Sequence, residues 1–151
     1  MRTINGIQQL RDLEGQELGT TGWHEVTQDE VDAFADATGD HQWIHVDVER
    51  ARDTPFGGTI AHGYYTLSLV PRLSDEVTRY EGFAFALNYG LDRVRFPSAL
   101  PVGSRLRATF RLAEVKDVPG GAQIKTEVTF EREGGDKPVC VAETLARVYE
   151  G

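Results

Sequence analysis

Two side chains capable of acid–base chemistry lie in the segment Asp36 to Ala51, DATGDHQWIHVDVERA, where Asp40 and His45 are five residues apart at the end of a predicted helix. A carboxylate and an imidazole that converge on one water can deprotonate it and return a proton to a substrate. A second segment, IAHG at 60–63, follows a Gly-rich turn and opens an apolar helix, where the N–H of Gly63 could hold a developing negative charge. The combination favours acid–base chemistry on a carbonyl compound.

Each of these residues also has a structural interpretation. An isolated Asp after a Gly commonly caps a turn, and an isolated His is more often a core or surface residue. Asp40 and His45 gain their weight from their order with the AHG segment. His62 precedes the helix start, and structural support is the better interpretation for it. His41 and His45 have a two-histidine zinc spacing, but that motif needs a Glu after the first histidine and one continuous helix, which Gly39 disfavours, so we expect no metal.

Capping signals and hydrophobic periodicity predict the helices that position these residues. Thr27, with Glu30 three residues on, forms a capping box, and Gly39 is placed to end the helix that follows. The longest apolar stretch should form a buried helix that is kinked or broken at Pro71. The predicted helices are Ile4–Asp12, Gln28–Thr38, Glu49–Arg52 and Ile60–Val77.

The second half of the chain has the pattern of a sheet. One strand is predicted near Gly22–Val26, and from Phe83 onward the pattern changes to alternation with period two. Four strands follow, in FAFALNYGLDRVRF, SRLRATFRLAEVKDV, AQIKTEVTFERE and KPVCVAETLARVYE. Alternation implies one buried sheet face and antiparallel pairing. Helices followed by strands indicate an α+β fold, with the sheet wrapped around the long apolar helix.

The bulk properties fit a single domain spanning residues 1–151. Hydrophobic residues make up 40% of the chain and charged residues 26%, and no apolar run is long enough for a membrane span. The N-terminus lacks the apolar core of a secretion signal, so we expect a cytosolic location. The net charge of -8 argues against nucleic-acid binding. Cys140 is the only cysteine, which excludes an internal disulfide and favours a buried, inert thiol.

The segments GDHQWIH at 39–45 and AHG at 61–63, in this order of elements, resemble the MaoC-like hydratases, the (R)-specific enoyl-CoA hydratases of the hot-dog fold. The resemblance covers nearly the whole chain and is greatest to the single-domain mycobacterial and actinobacterial members. The hydratase motif of that family reads G-D-x-N-P-hydrophobic-H followed by a small residue, here Ala51. The chain departs from it at Gln42 and Trp43, which leave both reactive side chains in place.

The resemblance implies a fold, a reaction and a quaternary state. A trans-2-enoyl-CoA, or the corresponding acyl-carrier-protein thioester, would bind in a tunnel, and water would add across the double bond to give a (3R)-hydroxyacyl thioester. Asp40 and His45 would both bind the reacting water, with the choice of base left open, and the N–H of Gly63 would bind the thioester oxygen. No cofactor is implied. The family expectation is a homodimer with one sheet continuous across the interface.

Three further side chains could contribute to substrate binding. Asn88 could orient a carboxylate or the substrate carbonyl, or could instead satisfy a bulge near Gly90. Tyr64 and Tyr65 could line the acyl tunnel, whereas tyrosines of an apolar helix more often pack with the hydroxyl partnered.

Two pairs of arginines share strand faces because side chains two residues apart point the same way. They are Arg93 with Arg95 and Arg105 with Arg107. Either pair could bind the phosphates of coenzyme A, or could belong to a solvated sheet edge.

Two other functions compete with hydration. Thioester hydrolysis would direct the water to the carbonyl carbon, although the Asp40 and His45 spacing fits the hydratase motif better. A non-catalytic acyl-thioester-binding subunit of a larger dehydratase would have no need to retain both of these residues.

Overall fold

The computed structural model describes residues 1–151, which form six helices and eight strands. The helices are α1 (Gly6–Asp12), α2 (Gln28–Thr38), α3 (Trp43–Val46), α4 (Val48–Ala51), α5 (Gly63–Ser68) and α6 (Val70–Val77). The strands are β1 (Arg2–Asn5), β2 (Glu17–Thr20), β3 (His24–Glu25), β4 (Thr78–Glu81), β5 (Phe83–Arg95), β6 (Arg105–Val118), β7 (Gly121–Arg132) and β8 (Cys140–Glu150). No helix is both long and apolar enough to cross a membrane.

The main sheet has six strands in the order β2-β6-β7-β8-β5, with β3 also paired to β6. Every pairing in it is antiparallel, and β6, β7 and β8 follow one another as hairpins. A second, two-stranded sheet pairs β1 with β4 in parallel. The helices precede the four long strands in the chain and pack against the sheet, which confirms the predicted α+β class.

Local capping explains why α2 begins and ends where predicted. The Thr27 side chain accepts a hydrogen bond from the N–H of Glu30 at 3.2 Å. Gly39 ends the helix with φ of 79°, a conformation that favours glycine. The capping box is only half formed, because the Glu30 carboxylate turns to Tyr65 and Arg72 instead of back to Thr27. Glu30 therefore ties α2 to α5 and α6.

The long apolar helix is shorter than predicted and is divided. It begins at Gly63 instead of Ile60, because Ile60 forms a bridge with Pro101. It is interrupted at Leu69, and the second segment carries Pro71 in its first turn, where the missing N–H has no intrahelical partner. The predicted break near the proline is confirmed. The prediction that the helix is buried holds only in part, since Tyr64 is 72% exposed.

The N-terminal elements differ from the prediction because of strand pairing. Residues 2–5 join β4, so the first helix begins at Gly6 rather than Ile4. The strand predicted at Gly22–Val26 is reduced to His24–Glu25, which pairs with the start of β6. The strands β1, β2 and β4 were not predicted, since each is four residues long and depends on a distant partner.

The core lies between the helices and the inner face of β6, β7 and β8. Alternate residues of β6 and β7 are buried as the period-two pattern predicted, among them Phe110 and Phe130. Cys140 is buried, and burial raises the pKa of its thiol to about 11, as expected for an inert side chain. The exception is β5, which has no buried residue and forms one edge of the sheet.

Replacing Phe130 with Ala should lower the free energy of unfolding by about 3–5 kcal/mol, because the ring is fully buried and its removal leaves a cavity. The matched control is Phe56→Ala. Because Phe56 is 47% exposed, this variant should lose far less free energy of unfolding. Urea unfolding followed by circular dichroism measures both. Equal losses in the two variants would contradict this description of the core.

Candidate active site

Asp40 lies in the turn that links α2 to α3. Its Oδ1 accepts a hydrogen bond from the N–H of Gln42 at 3.3 Å, so the carboxylate does take part in the turn that the alternative interpretation assigned to it. The side chain remains 52% exposed. An exposed carboxylate with one backbone donor keeps oxygen lone pairs free for a water or a substrate.

His45 is held by the segment that leads to α5. The ring is 7% exposed, and its Nδ1 donates to the backbone carbonyl of Ile60 at 2.6 Å. The N–H of Ile60 in turn donates to the carbonyl of Ile44 at 3.0 Å, so the two segments are paired at this point. Since Nδ1 carries the proton, Nε2 carries a lone pair that can accept one.

The protonation state of His45 follows from its surroundings. Burial lowers the pKa of the imidazole below its ordinary value of 6.5, and the nearby His62 lowers it further. The Ile60 carbonyl and the Asp40 carboxylate oppose this by favouring the charged form, but burial is the largest effect. The imidazole is therefore neutral at physiological pH and able to act as a base.

His62 contacts both of the other residues. Its ring is 3% exposed and stacks on the ring of His45, with centroids 3.8 Å apart and planes inclined by 25°. Its Nε2 donates to the backbone carbonyl of Asp40 at 3.0 Å, which leaves Nδ1 buried without a hydrogen-bond partner. These contacts support the backbone of Asp40 and the ring of His45 at once.

The structure brings the two predicted catalytic side chains together. One carboxylate oxygen of Asp40 and one ring nitrogen from each of His45 and His62 lie within 4.8 Å of one another. Two hydrogen bonds of about 2.8 Å made by one water at a tetrahedral angle separate its partners by roughly 4.5 Å. The side chains of Asp40 and His45 therefore lie about as far apart as the partners of one bridging water.

The same three residues are poorly arranged for a metal ion. A ring nitrogen binds a metal in the plane of the imidazole, and the nearly parallel stack of His45 and His62 directs the two planes alongside each other instead of toward a common point. His41, the other half of the zinc spacing, points away: its exposed ring donates to Asp36 at 2.9 Å.

Gly63 is the first residue of α5, directly after His62. The N–H at this position has no partner within a helix, so it can serve an external acceptor. A Cβ at Gly63 would meet the ring of Phe96 at 3.1 Å, which is tighter than ordinary contact. Phe96 was not predicted from the sequence, and its ring lies against the backbone of Gly63.

A groove of about 800 Å³ runs between the two segments of the broken helix and the sheet. It is lined mainly by apolar side chains, and both Tyr64 and Asn88 border it. The register of β5 against β8 shifts between Asn88 and Gly90, so the bulge expected there is present. Asp40 and His45 do not line this groove, which reaches only as close as the residue after Gly63.

Tyr65 lies outside the groove. It is 4% exposed, and its hydroxyl donates to Glu30 at 3.1 Å, in line with the packing interpretation. Burial, together with the Glu30 carboxylate, raises the pKa of Tyr65 well above its ordinary range. The residue therefore acts as a link between α5 and α2, with Arg72 on the other oxygen of Glu30 at 2.5 Å.

The two arginine pairs differ in their surroundings. Arg105 pairs with Glu133 at 3.0 Å, and Arg107 pairs with Glu131 while its guanidinium lies 4.3 Å from the centroid of the Trp23 ring. Binding of phosphate there would have to displace these partners. Arg93 and Arg95 on β5 are exposed and form no ion pair.

The fold and the position of the site define the class to which the chain belongs. An antiparallel sheet that packs against helices is the arrangement of the hot-dog fold, and contacts from Ile60 and His62 bring Asp40 and His45 near the start of α5. A family model described as the MaoC like domain matches residues 10–134. The chain belongs to this family.

Similar proteins agree with this membership. The chain is 51% identical over 148 residues to the 3-hydroxyacyl-thioester dehydratase Z of Mycobacterium tuberculosis, covering 97% of this chain and 98% of that protein. It is 47% identical over 131 residues to nodulation protein N of Rhizobium leguminosarum, covering 85% and 81%. Among solved structures, a MaoC-like dehydratase from Rhodospirillum rubrum shares the fold with a TM-score of 0.74 and 23% identity, covering 94% and 97%.

The environment of His45 predicts how stability depends on pH. Because its folded pKa is lowered, the unfolded chain binds the proton more readily, so the free energy of unfolding falls as the pH drops through 6.5. As the pH is lowered from about 7.5 to 5, we expect the free energy of unfolding of the wild type to decrease relative to that of His45→Gln. Urea unfolding across this range measures it.

His41→Gln provides a control of opposite sign. The Asp36 carboxylate raises the pKa of His41, so this residue stabilises the folded protein below 6.5 and loses that effect as the pH rises through the folded value. The wild type should therefore gain stability relative to His41→Gln on acidification. The same slope in both comparisons would contradict the burial argument for His45.

Proposed function

We propose that this protein, acting as one domain over residues 1–151, catalyses the reversible (R)-specific hydration of trans-2-enoyl-CoA to (3R)-hydroxyacyl-CoA. At the level of reaction class the protein is a hydro-lyase of the dehydratase type that acts on acyl thioesters. The observation that supports the proposed hydration is the closeness of Asp40 to His45. A carboxylate oxygen of Asp40 and a ring nitrogen of His45 lie within 4.8 Å of each other, and the imidazole has one nitrogen that can accept a proton.

Hydration of an enoyl thioester requires a hydroxyl at C3, a proton at C2 and temporary charge on the carbonyl oxygen. A base removes one proton from the water as its oxygen forms a bond with C3, and the electrons of the double bond move toward the thioester oxygen. The enolate then collapses and C2 takes up a proton, so all the atoms of the water end in the product. Dehydration is the same sequence reversed.

The residues of the site match these three requirements. The buried, neutral His45 has Nε2 free to accept a proton, and the exposed Asp40 carboxylate can hold or return one. In this proposal the N–H of Gly63 stabilises the enolate oxygen, and loss of one such donor typically costs about a hundredfold or more in rate. Which of Asp40 and His45 acts as the base stays open.

Features of the surface support an acyl-CoA substrate. The apolar groove beside α5 suits an acyl chain, since ligand sites of several hundred Å³ are usually lined by hydrophobic side chains. Arg93 and Arg95 are the better candidates for the CoA phosphates, because Arg105 and Arg107 already have carboxylate partners. An acyl-carrier-protein thioester remains the alternative carrier, and the cytosolic location stays a prediction.

The exposed edge of the sheet supports a homodimer. The strand β5 is 13 residues long, contains no proline and pairs only with β8. It exposes Phe85, Leu87, Tyr89 and Leu91 by 44–55%. A long apolar edge is normally covered, and a second β5 would extend the sheet and close the groove.

Two alternatives predict different products. A thioesterase would release free CoA thiol, since water would attack the carbonyl carbon. A non-catalytic subunit would bind acyl-CoA without turnover until a partner chain was added, but it would have no need of a paired Asp40 and His45.

Asp40→Asn and His45→Gln should each abolish hydration of crotonyl-CoA, with kcat falling by about a hundredfold to ten thousandfold because each removes a proton-transfer group. Loss of the enoyl absorbance measures the reaction, and a thiol reagent detects hydrolysis in the same samples. His41→Gln, in the same turn but facing Asp36, is the matched control and should keep wild-type turnover.

The wild-type result separates the proposals. No loss of absorbance at any acyl chain length would overturn the hydratase assignment, and release of thiol would favour the hydrolase. Analysis of the product on a chiral column tests the (R) configuration.

Leu87→Glu should shift the protein from dimer toward monomer, because it would bury a charge at the proposed interface. Phe56→Glu is the matched control, since Phe56 is exposed to a similar extent in a loop before α5 and should leave the mass unchanged. Light scattering after size exclusion measures both. A wild-type monomer would overturn the homodimer.

A further inference from the structure

Gln28 lies at the first position of α2, and all of its side-chain hydrogen-bonding atoms have partners. Its Nε2 donates to the backbone carbonyl of His45 and to Asp32 Oδ1, each at 2.8 Å. Its Oε1 accepts from the hydroxyl of Thr59 at 2.6 Å. One amide therefore joins α2 to α3 and to the segment that leads to the Gly63 backbone.

The chemistry of the partners fixes the orientation of this amide. The carbonyl of His45 and the Asp32 carboxylate can only accept, so both require the NH₂ group of Gln28. Rotating the amide by 180° would place its oxygen against two acceptors. Thr59 is 6% exposed, so its hydroxyl has no ready access to a replacement from solvent.

The hydrogen bonds of the Gln28 amide to His45 and to Thr59 lie on either side of the hydrogen bond that sets the tautomer of His45. One end is the backbone of His45 itself, and the other is Thr59, the residue before Ile60. The carbonyl of Ile60 accepts the Nδ1 proton at 2.6 Å. The carbonyl of Thr59 also accepts from the N–H of Val102 at 2.9 Å, which fixes the segment from its other side.

We propose that Gln28 and Thr59 form a clamp that keeps His45 in the Nδ1–H tautomer, with Nε2 directed to the reacting water. Both are positioning residues, and their role in turnover rests on the proposed hydration. The clamp sets the distance between the ring and the Ile60 carbonyl by joining the two backbones that carry them. If that distance grows, the proton can move to Nε2, and Nε2 would then donate a hydrogen bond to the water instead of accepting one.

Thr59→Val and Thr59→Ser form the decisive pair. Valine keeps the shape of the side chain and removes the hydroxyl, whereas serine restores it. We expect Thr59→Val to lower kcat by about tenfold to a hundredfold, as misplacement of a catalytic group does, with KM for crotonyl-CoA little changed. Thr59→Ser should retain wild-type turnover.

The nitrogen NMR shifts of the His45 ring report the tautomer directly, without substrate. The wild type should show Nδ1 protonated and Nε2 unprotonated, and Thr59→Val should show a mixture of the two tautomers. This measurement stands even if crotonyl-CoA is not hydrated. Failure of the clamp and failure of the proposed reaction are thus distinguishable.

Gln28→Glu tests the other half of the clamp if the valine variant does not fold. A carboxylate can still accept from Thr59 but cannot donate to the carbonyl of His45, so the tautomer should again become mixed. The matched control is Gln8→Glu on α1, because Gln8 donates to Asp12 four residues on as Gln28 does to Asp32. It should change neither the tautomer nor kcat.

Two results would overturn the clamp. One is a wild-type tautomer in both Thr59→Val and Gln28→Glu, whatever happens to kcat. The other is an equal loss of activity in Thr59→Ser and Thr59→Val, which would show that the hydroxyl contributes nothing specific.

Discussion

The hydrogen bond from His45 to the carbonyl of Ile60 is the contact on which the site depends. It fixes which ring nitrogen is free, and it joins the turn that carries Asp40 to the segment that opens α5 at Gly63. The two halves of the proposed chemistry, proton transfer and stabilisation of the enolate, come from these two segments. The position of Asp40 and His45 relative to Gly63 therefore depends on the hydrogen bond between His45 and the backbone of Ile60.

The two acid–base side chains occupy different environments for a physical reason. Asp40 stands in a turn at the surface, where water solvates the carboxylate, while His45 is packed under His62 with its ring nearly inaccessible. Burial disfavours the imidazolium and lowers the pKa of His45, so a neutral imidazole lies beside the exposed carboxyl group of Asp40. Their separation is of the size that one shared water would span, as the proposed addition of water to an enoyl thioester would need.

The most exposed part of the sheet is the part that would bind substrate. Every other long strand has partners on both sides, whereas β5 has one and presents large apolar side chains to solvent. Residues of β5 also line the groove, which stops short of Asp40 and His45. A second chain on β5 would supply the missing wall, which links the proposed quaternary state directly to the proposed activity.

Short-range signals were sufficient for part of the fold and for the choice of Asp40 and His45 as the candidate reactive pair. The Thr27 cap and Gly39 determined α2, Pro71 marked the break in the long helix, and period-two alternation located the four long strands. The order of the GDHQWIH and AHG segments selected Asp40 and His45 as candidates. These signals are read from residue types and their spacing along the chain, so the sequence by itself provides them.

Only the tertiary structure decided the short strands and the hydrogen bonds that hold the candidate site. The short strands need partners far along the chain, the carbonyl that holds His45 is 15 residues away, and Gln28 reaches Thr59 across 31 residues. Gln28 showed no signal beyond its place at a helix start, because a glutamine amide can donate and accept almost anywhere. The sequence determined which groups could react, and packing decided which atoms of them face each other.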